Sequence, residues 1–369
     1  MIKIAFVINT IYSPTGGTEK QLLLLLENLD RNRFLPVLCV LSSSEWLEKE
    51  FDLCPLHVIG IDSLKHPGAL ARFWQFVRYL KGENFQIVHA LFKDGMRIGI
   101  PAGRLAGVER IIAVRRSQGY WMSTFDLKVT RLLNRWVDLI IANSHNTRQW
   151  AAEVEGFPAE RIEVIHNGLD LEPFSRITAG TRGDYRAVLS IPASAPVVGI
   201  VANLRPVKAI DVFLRAASHV KSAFAGAHFI LVGDGDQEEG LKLLAEELGI
   251  ADCTHFLGRR KDIHQILSVF DVGVLSSSSE SFSNAIVEYL AAGLPVVCTD
   301  VGGAREAVQD GINGYVVPVN SPTELAQRIS DILHNTEMLL SMKDASLNKA
   351  RDNFSLLSMI TNYQTIYSR

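Results

Sequence analysis

Two glutamates, Glu280 and Glu288, close the mostly apolar stretch "ESFSNAIVE". A carboxylate accepts two hydroxyl hydrogen bonds, which is what a sugar or ribose diol offers. Between the two glutamates the backbone N–H groups of Ser283, Asn284 and Ala285 would form a positive helix end suited to a phosphate. "VANLRPVKAIDVFL" adds Arg205 and Lys208. Arginine grips phosphate oxygens in a fork and lysine supplies point charge, so the pair suits a diphosphate, with plain solvated surface as the alternative. In "VINTIYSPTGGTEKQLLLLL" the N–H groups near Gly16 and Gly17 could meet an anion ahead of a helix capped by Thr18. The same glycines also suit a simple turn.

Three glycines of "FILVGDGDQEEG", Gly233, Gly235 and Gly240, follow a strand, but four residues rather than two separate the last pair. That spacing excludes the dinucleotide fingerprint, and with it an NAD dehydrogenase; the first loop likewise lacks the spacing of a P-loop. Asp234-Gly235-Asp236 offers a D-x-D pattern for a divalent metal but reads first as a polar turn. His89, at the end of "QIVHALFKDG", either approaches the site or is a buried structural histidine, with Lys93 a weaker candidate for the same wall. Cys39, Cys54, Cys253 and Cys298 show neither C-x-x-C spacing nor clustering with histidines, so they read as reduced thiols and suggest no zinc site and no disulfide framework.

The elements that must hold these residues follow a βαβ rhythm, which implies α/β architecture with parallel sheets. "IKIAFVI", "LPVLCVL", "FQIVHAL", "RIIAVR" and "DLIIAN" read as strands of a first layer. After Asn167-Gly168 the rhythm restarts with "PVVGIVANL", "HFILVGDG", "CTHFLG", "DVGVLSS", "PVVCTD" and "GYVVPV". The helices of this second layer begin near Ile210, Glu238, Ile263, Asn284 and Pro322. In the stretch of interest "DVGVLSS" is a strand, Ser276 to Phe282 its exit loop, and Asn284 to Ala292 a helix with Ser283 as candidate cap and Gly293 at the C′ position. "RIEVIHNGLDLEPF" supplies a strand, a turn and a hinge near residues 165 to 175. Ligands of such sheets bind beyond the carboxyl ends of the strands, so two of them facing each other would form an interdomain cleft.

The 369 residues, 47% hydrophobic and 21% charged, suffice for two cores. A net charge of −3 gives no reason to expect a nucleic-acid partner. The start "MIKIAFVINT" fits a first buried strand better than a signal peptide, and "LLLLL" is far shorter than the roughly 20 apolar residues of a membrane span. The expectation is a cytoplasmic chain.

Glu280-x7-Glu288 within "ESFSNAIVEYLAAGLPVV", followed by "TDVGGAREAVQDGINGYVVP", resembles the C-terminal signature of the GT-B glycosyltransferases of family 4, the retaining "group 1" enzymes. The early Gly16-Gly17 loop, "IIANSHNTRQWA", "VIHNGLD", "LRPVKAID", "LVGDGDQ" and "HFLGRRKDI" fit in order, and "FSLLSMITNYQTIYSR" is similar to the family's last helix, which packs back on the first domain. The resemblance implies an acceptor-binding Rossmann-like domain over 1–168, joined by a terminal helix at about 355–369, and a nucleotide-sugar-binding one over 169–354.

By position, the resemblance implies that Glu288 holds the ribose hydroxyls and Glu280 a hydroxyl of the transferred sugar. Phe282, Ser283 and Asn284 would line sugar and diphosphate through their backbone. Arg205 and Lys208 would neutralise charge on the leaving diphosphate in place of a metal. Gly17 would close over the phosphates, and Arg260 would lie near the base. The donor would be a nucleotide-sugar, UDP- or GDP-linked, used without a metal cofactor, and Glu280 would position rather than attack. The rivals are a GT-B nucleotide-sugar epimerase and, from another class, a two-lobed sugar-binding protein, which would normally need export.

The pattern departs from the family at "RIIAVRRSQGYW", where Arg115 and Arg116 stand in place of a frequent histidine. From Lys93 to Arg148 ten Lys/Arg face four Asp/Glu. That excess suggests an anionic headgroup or lipid-linked diphosphate as acceptor, within a glycan or lipid-linked class. Tyr120, Trp121, Met122 and Phe125 beside Lys128, Arg131 and Arg135 suggest peripheral contact with an anionic membrane, against the alternative of a core-facing helix with a solvated basic side.

Overall fold

The computed structural model describes residues 1–14, 16–63, 66–119 and 122–369. They divide into two compact units, Met1–Gly168 with Leu356–Arg369, and Leu169–Ser355.

The first unit is a seven-stranded parallel sheet made of β1 (Ile2–Ile8), β2 (Phe34–Val40), β3 (Leu56–Val58), β4 (Ile87–Ala90), β5 (Arg110–Arg115), β6 (Leu139–Ala142) and β7 (Ile162–Val164). Their order is β3-β2-β1-β4-β5-β6-β7. The second is a six-stranded parallel sheet of β8 (Val197–Val201), β9 (His228–Val232), β10 (Thr254–Phe256), β11 (Val272–Leu275), β12 (Val296–Thr299) and β13 (Gly314–Val317), ordered β10-β9-β8-β11-β12-β13. Each order reverses once, between β1 and β4 and between β8 and β11, and at such switch points the loops leaving neighbouring strands part to make a crevice. Helices cover both faces, which is why the strands read as continuous apolar runs.

Register explains two glycines of the second sheet. Gly199 on β8 lies opposite Gly273 on β11. A Cβ on Gly199 would sit 1.9 Å from the Phe270 ring, and one on Gly273 would sit 2.6 Å from that of Tyr289. The Tyr289 hydroxyl accepts from Val201 N at 2.6 Å and donates to Val274 O at 3.1 Å, so it ties the helix Asn284–Ala291 to both strands of the switch point. That helix ends as expected. Gly293 is left-handed at φ +67°, and the N–H groups of Gly293 and Leu294 bond the carbonyls of Leu290 and Tyr289 in a Schellman closure.

Two local expectations need correction. Ser283 occupies the cap position with extended backbone, but its hydroxyl makes no cap bond. Thr18 is not a cap: the first helix is Gly17–Asn28, with Gly16 at the cap position and its carbonyl accepting from Lys20 N at 2.7 Å. The terminal helix, Leu356–Ser368, packs Met359, Ile360, Tyr363, Ile366 and Tyr367 into the core of the first unit beside Phe6 and Phe34.

Candidate active site

The loops leaving β8 and β11 are stitched together by short polar contacts. Ser276 Oγ donates to Lys208 O at 2.9 Å, and Ser278 N donates to Val207 O at 2.9 Å. These bonds bring Lys208 Nζ onto Glu280 Oε1, which also accepts from Ser277 Oγ at 3.0 Å. The Glu280 side chain is 14% exposed and that of Lys208 24%, so the pair sits at the lip of the sheet, mostly buried but still reached by water. Arg205 stands exposed at the start of the same turn, Pro206–Lys208, and makes no ion pair with the described residues.

Neighbouring loops buttress this corner. Thr299 Oγ1 donates to Ser277 O at 2.6 Å and Gly303 N donates to Ser281 O at 2.7 Å, so the exit of β12 holds the Glu280 loop from behind. On the other side, a Cβ on Gly233 would lie 2.0 Å from Ala202 O, and one on Gly235 would lie 2.4 Å from Leu204 O. These glycines therefore let the exit of β9 press against that of β8. Asp234 pairs with Arg259 at 3.1 Å, and Asp236 lies in the turn ahead of the helix that begins at Glu238. Among the described residues no group of three or more histidine, cysteine or acidic side chains could hold a metal.

The remaining donor-side candidates distribute unevenly. The Phe282 ring is buried against Phe354, with centroids 5.5 Å apart. Asn284 opens the helix and Glu288 lies one turn further, half-buried beside Tyr289. Arg260 follows β10, at the far edge of the sheet from β11, and forks onto Asp262 at 2.9 and 2.6 Å. The Arg260 guanidinium, and after it the 2.5 Å bond from the Tyr185 hydroxyl, hold the Asp262 carboxyl well below the usual carboxylate range despite partial burial. Arg260 is thus engaged, and it is not brought to the Lys208–Glu280 corner.

In the first unit a cavity of about 630 Å³ opens at the carboxyl ends of β1, β4 and β5. Thr18 and Glu19, just after Gly16 and Gly17, form part of its wall. Lys93 and Phe92 form another part. His89 is not on this wall. It is 1% exposed, accepts or donates at 2.8 Å with the Tyr367 hydroxyl, and packs on Phe6. Burial, reinforced by the charge of Arg116, pushes its pKa down to about 3, so it is a neutral core histidine beneath the terminal helix. A catalytic part for it has no geometric support.

The two arginines that stand in place of the family's frequent histidine line the same cavity and are both engaged. Arg115 is buried and grips Glu155 at 2.7 and 2.8 Å, with Asn134 bonded to both. Arg116 donates to Asn167 at 2.6 Å. Part of the cationic excess is engaged inside the unit, since Lys93 and Arg97 both pair with Asp126, at 2.8 and 2.6 Å, while Lys128, Arg131 and Arg135 stay exposed.

Residues 181–349 match the family model of the group 1 glycosyl transferases, and residues 15–173 match that of glycosyltransferase family 4. The chain belongs to the group 1, family 4 glycosyltransferases. The D-inositol 3-phosphate glycosyltransferase of Mycolicibacterium smegmatis is 34% identical over 215 residues, 56% of this chain and 48% of that protein. The chain thus spans about half the length of the curated relatives it matches. Among solved structures, Anabaena HepE in complex with UDP superposes with a TM-score of 0.88 at 23% identity, and its complex with UDP-glucose with 0.85 at 24%, each over 100% of both chains. WaaG, a glycosyltransferase involved in lipopolysaccharide biosynthesis, gives 0.75 at 17% over 99% of both. These likenesses are of fold, and the fold is GT-B, with two Rossmann-like parallel-sheet units.

In this group 1 glycosyltransferase chain, Glu280 and Lys208 meet, with Arg205 on the same turn and Asn284 and Glu288 on the helix that follows. Ser277, Thr299 and Gly302, which position Glu280, were not singled out from sequence. The Gly-Gly doublet after "VVCTD" was the available signal, since paired glycines after a strand mark a close backbone approach. Glu155 and Asn134 carried no such signal, because their partners lie 19 to 40 residues away in sequence.

Proposed function

We propose that this chain is a retaining glycosyltransferase that moves a sugar from a nucleotide-sugar, UDP- or GDP-linked, to a glycan or lipid-linked acceptor in cell-surface polysaccharide or lipopolysaccharide synthesis. The observation that carries the reading is the Lys208–Glu280 pair, set by backbone-anchored serines at the switch point of the second sheet. The UDP and UDP-glucose complexes of the Anabaena protein with the same fold support the donor class.

In the proposed reaction the bond from the anomeric carbon to the diphosphate oxygen breaks. The acceptor hydroxyl oxygen bonds that carbon from the face being vacated, and its proton passes to a diphosphate oxygen. Arg205 and Lys208 meet the charge growing on the diphosphate, which is the part a divalent ion has in other transferases. Glu280 orients the sugar through a hydroxyl and Glu288 takes the ribose, while the N–H groups around Ser283 and Asn284 face the phosphates. Gly16 and Gly17, at the start of the first helix, would turn their N–H groups to an anion once the Glu19 carboxylate beside Gly16 swings aside.

Binding of the nucleotide is the first test. A ligand at one hundred times its Kd stabilises the folded chain by about 2.7 kcal/mol. Millimolar UDP or UDP-glucose is therefore expected to raise the melting temperature by several degrees, with GDP and ADP and their sugars as comparators. Lys208→Ala is expected to shrink the shift. No shift with any of these nucleotides would overturn the reading.

Peripheral contact with an anionic membrane is part of the same proposal. No helix among the described residues is long and apolar enough to cross a membrane. On Thr124–Leu133 and the turn after it, Phe125, Leu132 and Trp136 are exposed beside exposed Lys128, Arg131 and Arg135. Tyr120 and Trp121 lie outside the described residues, and Met122 lines the cavity rather than the outer surface. Apolar area and charge then add in binding to an anionic interface. At low salt the protein is expected to sediment with phosphatidylglycerol vesicles and not with phosphatidylcholine ones, and Phe125→Ser to weaken that binding. Equal recovery in the supernatant from both would remove the membrane part.

A further inference from the structure

Phe92 lies on the wall of the first unit's cavity with φ +56° and ψ 169°, a backbone region that glycine alone enters without strain. The cause is local. Leu91 N donates to Val7 O at 2.8 Å, and Gly95 N donates to Asn9 Oδ1 at 2.9 Å, so the chain is pinned to the exit of β1 on both sides of Phe92. A Cβ on Gly95 would lie 2.8 Å from Val7 O, so the helix Lys93–Ala106 already sits directly on that strand. Only Leu91 and Phe92 separate the strand from the helix. A glycine at position 92 would follow the same path unstrained, and the presence of a phenylalanine calls for a use of its ring.

The surroundings say which use. Phe92 is 36% exposed, and Tyr12, on the same cavity, is 79% exposed. The cavity's charges balance: Lys93, Arg115 and Arg116 stand against Glu19, Asp94 and Glu155. Arg115 is held by Glu155 and Lys93 by Asp126, so an anion would have to break an ion pair to reach either, and Arg116 is already bonded to Asn167. Asn9 and Asp94, bonded to each other at 3.3 Å, present amide and carboxylate atoms of the kind that read hydroxyl groups. Aromatic faces beside paired hydrogen-bonding groups, with no surplus charge, match a ring that is apolar on its faces and hydroxylated at its edge.

We propose that this cavity binds a neutral polyhydroxylated six-membered ring, such as a pyranose, stacked on Phe92 with its hydroxyls on Asn9 and Asp94. The inference rests on the transferase reading in that it makes this ring the acceptor group. It revises the expectation of an anionic acceptor for the part that enters the cavity.

The test is direct binding to the full chain of methyl α-D-glucopyranoside, glucose 6-phosphate and inorganic phosphate, by titration calorimetry or saturation-transfer NMR. Phe92→Gly removes the ring and relaxes the backbone, so its melting temperature should not fall; Phe92→Tyr keeps the ring. The glucoside is expected to bind at least about fivefold more weakly to Phe92→Gly, the size of one lost aromatic contact. Its affinity for Phe92→Tyr should stay within about twofold, and glucose 6-phosphate should bind no more tightly than the glucoside. The proposal is overturned if the wild type does not bind the glucoside, if Phe92→Gly binds it unchanged, or if the phosphorylated probe binds markedly tighter. UDP titration of the same wild-type sample separates the two readings. Phe92-dependent glucoside binding without a UDP response keeps the sugar site and removes the transferase, and the reverse pattern does the opposite.

Discussion

Glu280→Gln is expected to lower kcat/KM for a nucleotide-sugar by at least about tenfold, and Lys208→Ala to do the same, read as nucleoside diphosphate release from UDP-glucose. Glutamine keeps the length of the side chain and an oxygen, so Ser277 Oγ retains an acceptor. What is lost is the charge that holds Lys208 and the second full acceptor for a sugar hydroxyl. The stability cost is expected to be small, about 1 kcal/mol or less, because both side chains still reach water. Activity should therefore fall far more than the melting temperature does.

The double variant gives that expectation its sharper form. If donor binding draws Lys208 to the diphosphate and leaves Glu280 to the sugar, the two side chains act on different atoms, and their losses should multiply in the double variant. If they matter only by holding each other, the double variant should be no worse than the poorer single one, and the activity loss should track the stability loss. The second pattern would remove Lys208 and Glu280 from direct contact with the donor.

Much of the second sheet was legible because parallel strands buried on both faces write themselves as short β-branched runs. The helix starts at Ile210, Glu238, Ile263, Asn284 and Pro322 are where the spacing places them. Leu56–Val58 was missed because three residues at a sheet edge carry no period. The helix Ala179–Val188 was missed because two glycines dilute its propensity. It is held by tertiary bonds, with Arg182 reaching Asp271 and Arg186 reaching the carbonyls of Pro192 and Ala195.

The site was legible in part, for a physical reason. A helix-flanking motif such as Glu280-x7-Glu288 is local, so its spacing survives in one dimension. The Lys208–Glu280 pair joins residues 72 apart, and Lys93–Asp126 and Arg115–Glu155 also join distant residues. Counting charges along the chain therefore could not tell the cations that folding pairs, Lys93, Arg97 and Arg115, from those it leaves exposed, Lys128, Arg131 and Arg135. His89 failed in the same way: its partner, Tyr367, comes from the far end of the chain.

Gly302→Ala is expected to cost as much activity as either charge variant, at least about tenfold in kcat/KM, although Gly302 carries no chemistry. A Cβ there would lie 2.2 Å from Glu280 O and 2.6 Å from Ser281 O, both backbone atoms that cannot rotate away. The bond from Gly303 N to Ser281 O, 2.7 Å long, keeps the two loops at that spacing, so the methyl group must push the Glu280 loop by about 1 Å to reach ordinary contact. A displacement of that size can cost about a hundredfold when it misplaces a substrate-positioning group. The left-handed φ of +51° adds strain of about 1–3 kcal/mol for any residue with a Cβ. Gly293→Ala separates the two effects, because Gly293 is also left-handed, at φ +67°, but its Cβ would meet only the flexible Leu347 side chain at 3.2 Å. Both variants should melt earlier, and only Gly302→Ala should lose turnover well beyond the fraction unfolded. Equal specific activity in the two would mean that the Glu280 loop tolerates displacement, and Glu280 could then not be the group that orients the sugar.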